Sequence, residues 1–448
     1  MRRAAFVPLV LAALAACADH PTLPGPQPPP TSIRASTSAG APLVVSAPRT
    51  IAWNEGGLTW QMNLPHAEVG GGRVVWQDRI NGPTEVHSYD LRAGTRWQIT
   101  ATNAEVAEAN TSGRWTVWTD EQQILYLHDA QTRFVWTIGT GWSPRVAPDG
   151  RVAYIHFERP DGRNARNPNV AVYDPATRTS RVLTQYDEAT EAAYAPDIDG
   201  DVVAWSVSPG YQAQSATAAV RMMNLGTGEV RELVRVRGYN VGPVSVSGSR
   251  IAWADNRTRA NHVYLYDAAT GEQRQISSTG ARPTSHVRIS GDVIVWEDTR
   301  RIIDSRNAHR DVYLYDVASG TEMALAASDL PELEPSVDGQ HVVWTQRAND
   351  RWEIRVATVG AVTLRSLADA VEAMAASGEI ANRGAAESLR AFLAQATRAH
   401  DAGDAAGERA ALERFRKHVQ QLAGKQVSAA AAARLTSMAD GLLQALSG

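Results

Sequence analysis

The chain has 448 residues, of which 44% are hydrophobic, and its formal net charge is -4. This composition supports large buried cores and gives no basis for nucleic-acid binding, which depends on a basic surface. Cys17 is the only cysteine, so an intrachain disulfide is excluded.

The N-terminus has the pattern of a bacterial lipoprotein export signal. Two arginines precede an apolar run, Ala4 to Ala16, that is too short to span a bilayer as a mature helix. The run ends in Leu-Ala-Ala followed by Cys17, where small residues admit the peptidase and the thiol accepts diacylglycerol. We therefore predict that residues 1–16 are removed and that acylated Cys17 anchors the mature chain to a membrane. The alternative is an ordinary signal peptide followed by a buried free cysteine.

The segment after the signal favours an envelope location. Ala18, and not Asp, follows Cys17, which by analogy with Gram-negative cells indicates the outer membrane. Six of the ten residues from Pro21 to Pro30 are proline. Residues 17–49 are therefore predicted to form an extended tether between the membrane and a folded domain.

Between residues 50 and 360 one pattern occurs seven times. An apolar strand ends in an aromatic residue, a turn that usually contains glycine precedes that strand, and further short strands follow it. A repeat of roughly 40–50 residues with four antiparallel strands predicts a mainly β fold, a seven-bladed β-propeller. The alternatives are a β-sandwich and a ring of eight blades. The aromatic residues are Trp76, Trp118, Tyr154, Trp205, Trp253, Trp296 and Trp344.

The ends of the repeat region predict how the ring closes. The seventh unit has no clear fourth strand, while Thr50–Trp53 and Leu58–Met62 precede the first full unit. We expect this N-terminal segment to complete the seventh blade, because closure removes an exposed sheet edge.

Two of the turns resemble those of a known family. Trp142–Gly150 and Ala195–Gly200, each followed by an apolar strand, are similar to TolB-type β-propeller repeats, and the resemblance covers about residues 51–359. It implies the propeller fold. It implies less about function, because the family includes protein-interaction propellers, sugar-acid lyases and propeller domains of peptidases.

From residue 361 to 448 the spacing of apolar residues changes to that of helices, about 3.6 residues per turn. Four amphipathic helices are predicted, with Asp404 and Ser428 as N-caps. The segment Ala376–Gly384, with Gly403 and Gly424 downstream, resembles the FIMAH domain, a small helical module of bacterial surface and secreted proteins. That resemblance implies an interaction or stabilising role and no catalysis.

The sequence contains none of the common catalytic motifs. It has no Gly-x-Ser-x-Gly elbow, His-Glu-x-x-His, phosphate loop or cysteine pair. The pattern Trp-x-Asp-x-Arg recurs at Trp253 and Trp296, but an enzyme needs one site. We therefore interpret it as inter-blade ion pairs and turn hydrogen bonds, and we predict no catalytic residue.

The aromatic residues also locate the channel, because the first strand of each unit lies innermost in a propeller. Residues seven positions before the aromatic are mostly apolar and should pack between blades. Residues eight and ten positions before it should face the channel, because side chains alternate along a strand. The candidate ligand-binding residues at the channel mouth are therefore His66, Glu68, Glu108, Asp197, His286, Arg288 and Glu334.

Four of these candidates come from units that are neighbours once the ring closes. His66, His286, Glu108 and Glu334 could together bind a divalent metal or act on a substrate proton. The alternative is a hydrated polar funnel without a specific ligand. Some lyases of the family use a metal in the channel, but their ligand set has no residue-by-residue match here.

We therefore expect a monomeric, lipid-anchored protein of the bacterial envelope, facing the periplasm or the cell surface. Its propeller would be a non-catalytic scaffold that binds an envelope protein or a glycan, without a cofactor. The alternative is a propeller uronate lyase, or another hydrolytic enzyme, with its site at the channel mouth.

Overall fold

The computed structural model describes residues 43–46, 48–53, 66–78, 83–101, 104–158, 166–210, 212–213, 217–238, 241–301, 310–348 and 351–446. Cys17, the predicted signal, most of the predicted tether and the segment Leu58–Met62 lie outside the described residues. Within these ranges strands occupy the chain up to Ala361, and helices follow from Leu364.

Six blades each contain four consecutive antiparallel strands. Blades one and two contain β3 (Glu68–Gly70), β4 (Arg73–Asp78), β5 (Glu85–Asp90), β6 (Thr95–Gln98), β7 (Val106–Thr111), β8 (Trp115–Asp120), β9 (Ile124–Asp129) and β10 (Phe134–Thr140). Blades three and four contain β11 (Trp142–Val146), β12 (Val152–Glu158), β13 (Arg166–Asp174), β14 (Thr179–Val182), β15 (Glu191–Asp199), β16 (Val202–Pro209), β17 (Thr217–Asn224) and β18 (Val230–Arg237). Blades five and six contain β19 (Ser245–Ser247), β20 (Arg250–Asp255), β21 (His262–Asp267), β22 (Glu272–Gln275), β23 (Pro283–Ser290), β24 (Val293–Asp298), β25 (Asp311–Asp316) and β26 (Thr321–Ala326).

The seventh blade is completed by the N-terminal segment, as predicted. Its own strands are β27 (Glu332–Asp338), β28 (His341–Ala348) and β29 (Arg351–Ala361), and β1 (Leu43–Val45) and β2 (Arg49–Trp53) both pair with β29. Because β29 is long, two short strands can pair with successive parts of the same edge. The propeller therefore includes residues that composition alone assigned to the tether.

The innermost strands form a closed ring in which each contacts the next and β27 contacts β3. The residues seven positions before each aromatic lie between the blades, none more than 7% exposed. The prediction that these positions pack between blades is confirmed. They are Val69, Thr111, Ala147, Ile198, Val246, Ile289 and Val337.

Hydrogen bonds between neighbouring turns link the blades. In each case a Ser or Asp side chain accepts from the backbone N–H of a glycine in the next blade. The pairs are Asp199 with Gly248 (2.7 Å), Ser247 with Gly291 (2.9 Å), Ser290 with Gly339 (2.9 Å) and Asp338 with Gly71 (2.6 Å). These glycines have φ between 53° and 57°, so the same residue makes the hairpin turn and presents its N–H to the neighbouring blade.

The bond from Asp338 to Gly71 joins blade seven to blade one, so its removal tests ring closure. We expect Asp338→Ala to lower the free energy of unfolding by about 1 kcal/mol, because the turn loses a charge-assisted hydrogen bond that is exposed to water. Asp338→Asn keeps an accepting oxygen and is the matched control. Urea denaturation of the three proteins measures the difference, and equal midpoints for the alanine and asparagine variants would contradict this role.

The C-terminal helices are α1 (Leu364–Ala376), α2 (Arg383–Asp401), α3 (Ala405–Leu422) and α4 (Ala429–Ala445). Their apolar faces form one core, in which Leu367, Leu389, Leu412, Phe415 and Leu435 are fully buried. None of the helices in the described ranges combines the length and apolar character needed to cross a bilayer.

Both predicted N-caps are confirmed. Asp404 accepts a hydrogen bond from the backbone N–H of Gly407 at 2.8 Å, and Ser428 accepts one from Ala431 at 3.1 Å.

Candidate binding site at the channel mouth

The innermost strands all run in the same direction and so define two faces of the ring. We call the face where they begin, near His66 and Glu332, the mouth face. The face where they end in hairpin turns, near Gly71 and Gly339, is the turn face. The predicted channel residues precede or belong to innermost strands, towards the mouth face.

Glu68 is the centre of a buried ion network that joins four blades. Its carboxylate is 2% exposed and accepts hydrogen bonds from Arg288 Nη2 at 2.8 Å and Ser336 Oγ at 2.7 Å. Arg145 Nη1 lies 3.2 Å from the same carboxylate. Burial alone would raise the pKa of Glu68, but the charges of Arg288 and Arg145 hold the pKa well below its ordinary range.

His66 bridges Glu68 to a second carboxylate. Its Nδ1 lies 2.8 Å from Glu334 Oε2, and its Nε2 lies 3.2 Å from Glu68 Oε1. Burial alone would lower the pKa of His66, but the charges and hydrogen bonds of the two carboxylates outweigh it and raise the pKa to about 9. His66 is therefore an imidazolium at neutral pH, and both of its ring nitrogens donate.

The ion pair also fixes the charge of Glu334. Burial alone would raise the pKa of Glu334, but the charge of His66 outweighs burial and lowers the pKa to about 2.

His286 packs edge-on against His66, with ring centroids 5.8 Å apart. Burial and the positive charge of Arg288 lower the pKa of His286 to about 3, so this ring is neutral. Its buried Nε2 has no hydrogen-bond partner within the described ranges.

The raised pKa of His66 predicts a loss of stability at alkaline pH. The folded-state pKa of about 9 exceeds the ordinary 6.5, so the contribution is complete below pH 6.5 and is lost as the pH rises through 9. We expect wild type to lose up to about 3 kcal/mol of unfolding free energy across this window relative to His66→Gln. Denaturant titrations of both proteins at several pH values measure this loss. If the free energy of unfolding changes with pH in the same way in both proteins, the ion pair is contradicted.

Glu108 and Asp197 take a different role from the other candidates. Glu108 Oε2 accepts a hydrogen bond from the backbone N–H of Ser143 at 2.7 Å, and Asp197 Oδ2 accepts one from Val246 at 2.8 Å. Each bond reaches the next blade. Five of the seven candidates, namely His66, Glu68, His286, Arg288 and Glu334, therefore form one group of contacts. Glu108 and Asp197 bond to neighbouring blades, and their charges still act on Arg145.

Bulges change the side-chain alternation of the innermost strands, but they do not by themselves separate Glu108 from the network, because Glu334 lies in an equivalent bulge with a φ of 52°. The register shifts between Ala107 and Asn110 in β7, and Glu108 has a φ of 55°. Equivalent shifts occur in β11, β15, β23 and β27. A bulge adds a residue and breaks the strict alternation of side chains on which the prediction depended.

Arg145 was missed because the β11–β12 turn is one residue longer than the equivalent turns, so Arg145 lies opposite Ala153 just as Glu68 lies opposite Val75. Arg145 lies nine positions before Tyr154, which strict alternation assigns to the packed side. Its guanidinium reaches Glu68 in blade one. An arginine within an innermost strand was the only available signal.

Within the described ranges no group of three or more His, Cys, Asp or Glu side chains is arranged to hold a metal ion. Of the four residues considered as metal ligands, His66, His286 and Glu334 adjoin one another, whereas Glu108 bonds to blade three.

The repeated Trp-x-Asp-x-Arg pattern forms ion pairs within single blades, and not between blades as we expected. Asp255 is buried and accepts from Trp253 Nε1 at 2.7 Å and from Arg257 Nη2 at 2.6 Å. Asp298 accepts in the same way from Trp296 at 2.9 Å and from Arg300 at 2.7 Å. The interpretation as structural hydrogen bonds and ion pairs holds, but the contacts are local because the three residues share one strand and its turn.

Comparison with known proteins supports both halves of this architecture. Residues 364–444 match the FIMAH domain. An oligogalacturonate lyase in complex with manganese is 15% identical, with a TM-score of 0.51 over 72% of this chain and 98% of that chain. Another, from Vibrio parahaemolyticus, is 13% identical, with a TM-score of 0.49 over 71% and 98%. TolB from Acinetobacter baumannii is 17% identical, with a TM-score of 0.39 over 63% and 78%.

At these identities the similarity to solved structures shows the fold alone. No curated protein matches the sequence of this chain. The fold is that of a seven-bladed β-propeller with TolB among its structural neighbours. The chain is therefore a seven-bladed β-propeller followed by a segment that matches the FIMAH domain.

Proposed function

We propose that this chain is a lipid-anchored envelope protein whose propeller binds a protein or a glycan at its mouth face, without catalysis. Acylation of Cys17 would hold the mature chain at the membrane, and residues 17–42 would form the tether. The FIMAH domain would offer a second contact surface.

The observation that carries the proposal is the position of Leu43, the first described residue, relative to the channel. Leu43 lies opposite Ala361 in the register of β1 with β29, and His341, which follows the Asp338–Gly339 turn, lies opposite Thr358. The chain therefore enters the propeller at the turn face. The polar channel opens on the opposite face, which an anchored protein would present away from the membrane.

The charge states at the channel support binding over proton transfer. A general acid or base works best with a pKa near the working pH. His66 and Glu334 have pKa values of about 9 and about 2, and His286 has a pKa of about 3. All three therefore keep one charge state across the neutral range, which suits a fixed recognition surface.

The anchor is tested by Cys17→Ser. Cells expressing wild type should retain the protein in the membrane fraction after a high-salt wash. Cys17→Ser, exported behind an ordinary cleavable signal peptide, should be released as a soluble protein, because it lacks the acyl chains that anchor wild type. Metabolic labelling with a fatty-acid analogue provides a direct readout. Complete membrane retention of the unlabelled serine variant would overturn the anchor.

Binding at the mouth face is tested with charge-neutralised variants. Purified wild type, a channel variant (Glu334→Gln) and a turn-face control (Gln131→Ala) would be screened against envelope proteins and purified glycans. We expect Glu334→Gln to weaken binding because it removes a fixed charge at the mouth, while Gln131→Ala binds as wild type does. Equal binding by all three would place the partner elsewhere.

A uronate lyase is the second candidate, favoured by the adjoining His66, His286 and Glu334. A lyase would release unsaturated uronate products from polygalacturonate, with or without added manganese. We expect no product above that of a sample without protein. Product formation that disappears in both His66→Gln and His286→Gln would replace the binding proposal with the enzymatic one.

A further inference from the structure

A second concavity lies on the mouth face between blades five and six, outside the central channel. Its volume is about 410 Å³. The turn between β20 and β21, the segment leading into β23 and the residue after β24 form its walls. The residues that matter for recognition are Asn256, Arg259, Asn261, Arg282, Pro283 and Thr299. We call this concavity the blade 5–6 pocket.

The pocket is cationic and contains no carboxylate among its lining residues. Within the described ranges the guanidinium groups of Arg259 and Arg282 have neither a hydrogen bond nor an ion pair. Two arginines next to the pocket are paired instead. Arg257 contacts Asp255 at 2.6 Å, and Arg300 contacts Asp298 at 2.7 Å.

The backbone holds both unpaired arginines in place. The N–H of Arg282 donates to the buried carboxylate of Asp298 at 3.1 Å, and the carbonyl of Arg282 accepts from Thr299 Oγ1 at 3.0 Å. The N–H of Arg259 donates to the carbonyl of Asn256 at 2.7 Å. The pocket therefore has a fixed frame that carries two guanidiniums with open donors.

The geometry points to a binding site for an acidic sugar, one bearing a carboxylate or a phosphate ester, in the blade 5–6 pocket. Arginine is suited to oxyanions because its planar group donates two parallel hydrogen bonds. The amides of Asn256 and Asn261 can donate to and accept from hydroxyl groups. Ala281 and Pro283 are buried and offer an apolar wall for the face of a sugar ring.

The size of the pocket fits this ligand. Small-molecule sites usually have volumes of about 300–1,000 Å³, so 410 Å³ suits one or two sugar units. The inference rests on the proposed glycan binding, and it assigns that binding to the rim of the mouth face and to a charged class of glycan.

Calorimetric titration of the full mature chain carrying Cys17→Ser tests the inference with three probes. Glucuronic acid carries a carboxylate, glucose 6-phosphate carries a phosphate ester, and glucose is the neutral counterpart of both. We expect at least one acidic probe to bind and glucose to bind more weakly than either. Arg259→Gln and Arg282→Gln should each weaken the acidic probe roughly tenfold, and added salt should weaken it further.

Arg133→Gln is the matched control. Arg133 is exposed and ends a turn with a φ of 59°, as Arg259 does with a φ of 72°, but it lies on the turn face. Retained affinity in Arg133→Gln, with loss in the two pocket variants, supports the inference. Failure of both acidic probes to bind wild type, equal binding of glucose, or full affinity in both pocket variants would overturn it.

These outcomes separate the pocket from the proposed function. If wild type captures an envelope partner but binds neither acidic probe, the pocket inference fails and the binding function stands. If the acidic probe binds in the pocket while Cys17→Ser changes nothing in membrane retention, the pocket stands and the anchored function fails.

Discussion

Glu68→Gln is expected to lower the free energy of unfolding by about 3–5 kcal/mol, the loss typical when one member of a buried ion network is removed. Arg145, Arg288 and His66 all contact this carboxylate, which is 2% exposed. Glutamine keeps the shape but leaves these cations without their shared counter-charge. Chemical denaturation at pH 7 measures the loss.

Two further variants make that result specific. Glu121→Gln, at an exposed position in the turn after β8, should change stability by less than about 0.5 kcal/mol. Adding Arg145→Gln to Glu68→Gln should recover part of the loss, because it removes one uncompensated cation. A loss below about 1 kcal/mol for Glu68→Gln, or no recovery in the double variant, would show that the network contributes little.

Glu332→Gln is expected to stabilise the protein above pH 7 by up to about 3 kcal/mol. Glu332 is 1% exposed. Its Oε1 accepts from the backbone N–H of Ser328 at 3.2 Å and from Gln346 Nε2 at 3.0 Å, while its Oε2 has no hydrogen-bond partner within the described ranges. Burial, with a smaller contribution from the charge of Asp311, raises the pKa of Glu332 from 4.5 to about 7.

The pH window follows from the sign of that shift. Because the folded-state pKa is raised, the neutral carboxyl carries no penalty below pH 4.5, and stability is lost as the pH rises through 7. Glutamine is neutral at every pH, and its oxygen can accept the bonds that Oε1 accepts. Wild type and Glu332→Gln should therefore match at pH 4.5 and diverge by pH 8. A constant difference between them at all pH values would contradict the explanation.

The architecture could be predicted from the sequence because the repeat constrains it many times over. Buried aromatics such as Trp76 and Trp253 recur at fixed positions, and each predicts the same strand in the same place. Closure by Thr50–Trp53 was also predictable. The last repeat has no fourth strand, and the segment before the first repeat contains a strand that belongs to no other blade. The pairing of Leu43–Val45 was not, because a three-residue strand leaves no periodic signal.

The candidate site could be predicted only in part. His66, Glu68, His286, Arg288 and Glu334 meet as the aromatic positions indicated. Arg145 was missed because the β11–β12 turn has one extra residue, which moves Arg145 into the register position that Glu68 has in blade one. Glu108 accepts from Ser143 in the next blade, a contact that position counting along one strand does not reveal. The blade 5–6 pocket depends on segments that meet only in three dimensions, so no pattern along the chain could have indicated it.

The orientation of the propeller on the membrane is the central claim, and labelled single cysteines test it most directly. Acylated Cys17 is closed to thiol reagents, so a fluorophore can be attached uniquely to Gln131→Cys on the turn face or Ala260→Cys on the mouth face, both exposed positions. The acylated proteins would be reconstituted in vesicles that contain a headgroup-linked quencher. We predict stronger quenching at residue 131 than at residue 260, because the chain enters the propeller at the turn face. Equal quenching, or stronger quenching at residue 260, would contradict the claim that the channel mouth faces away from the membrane.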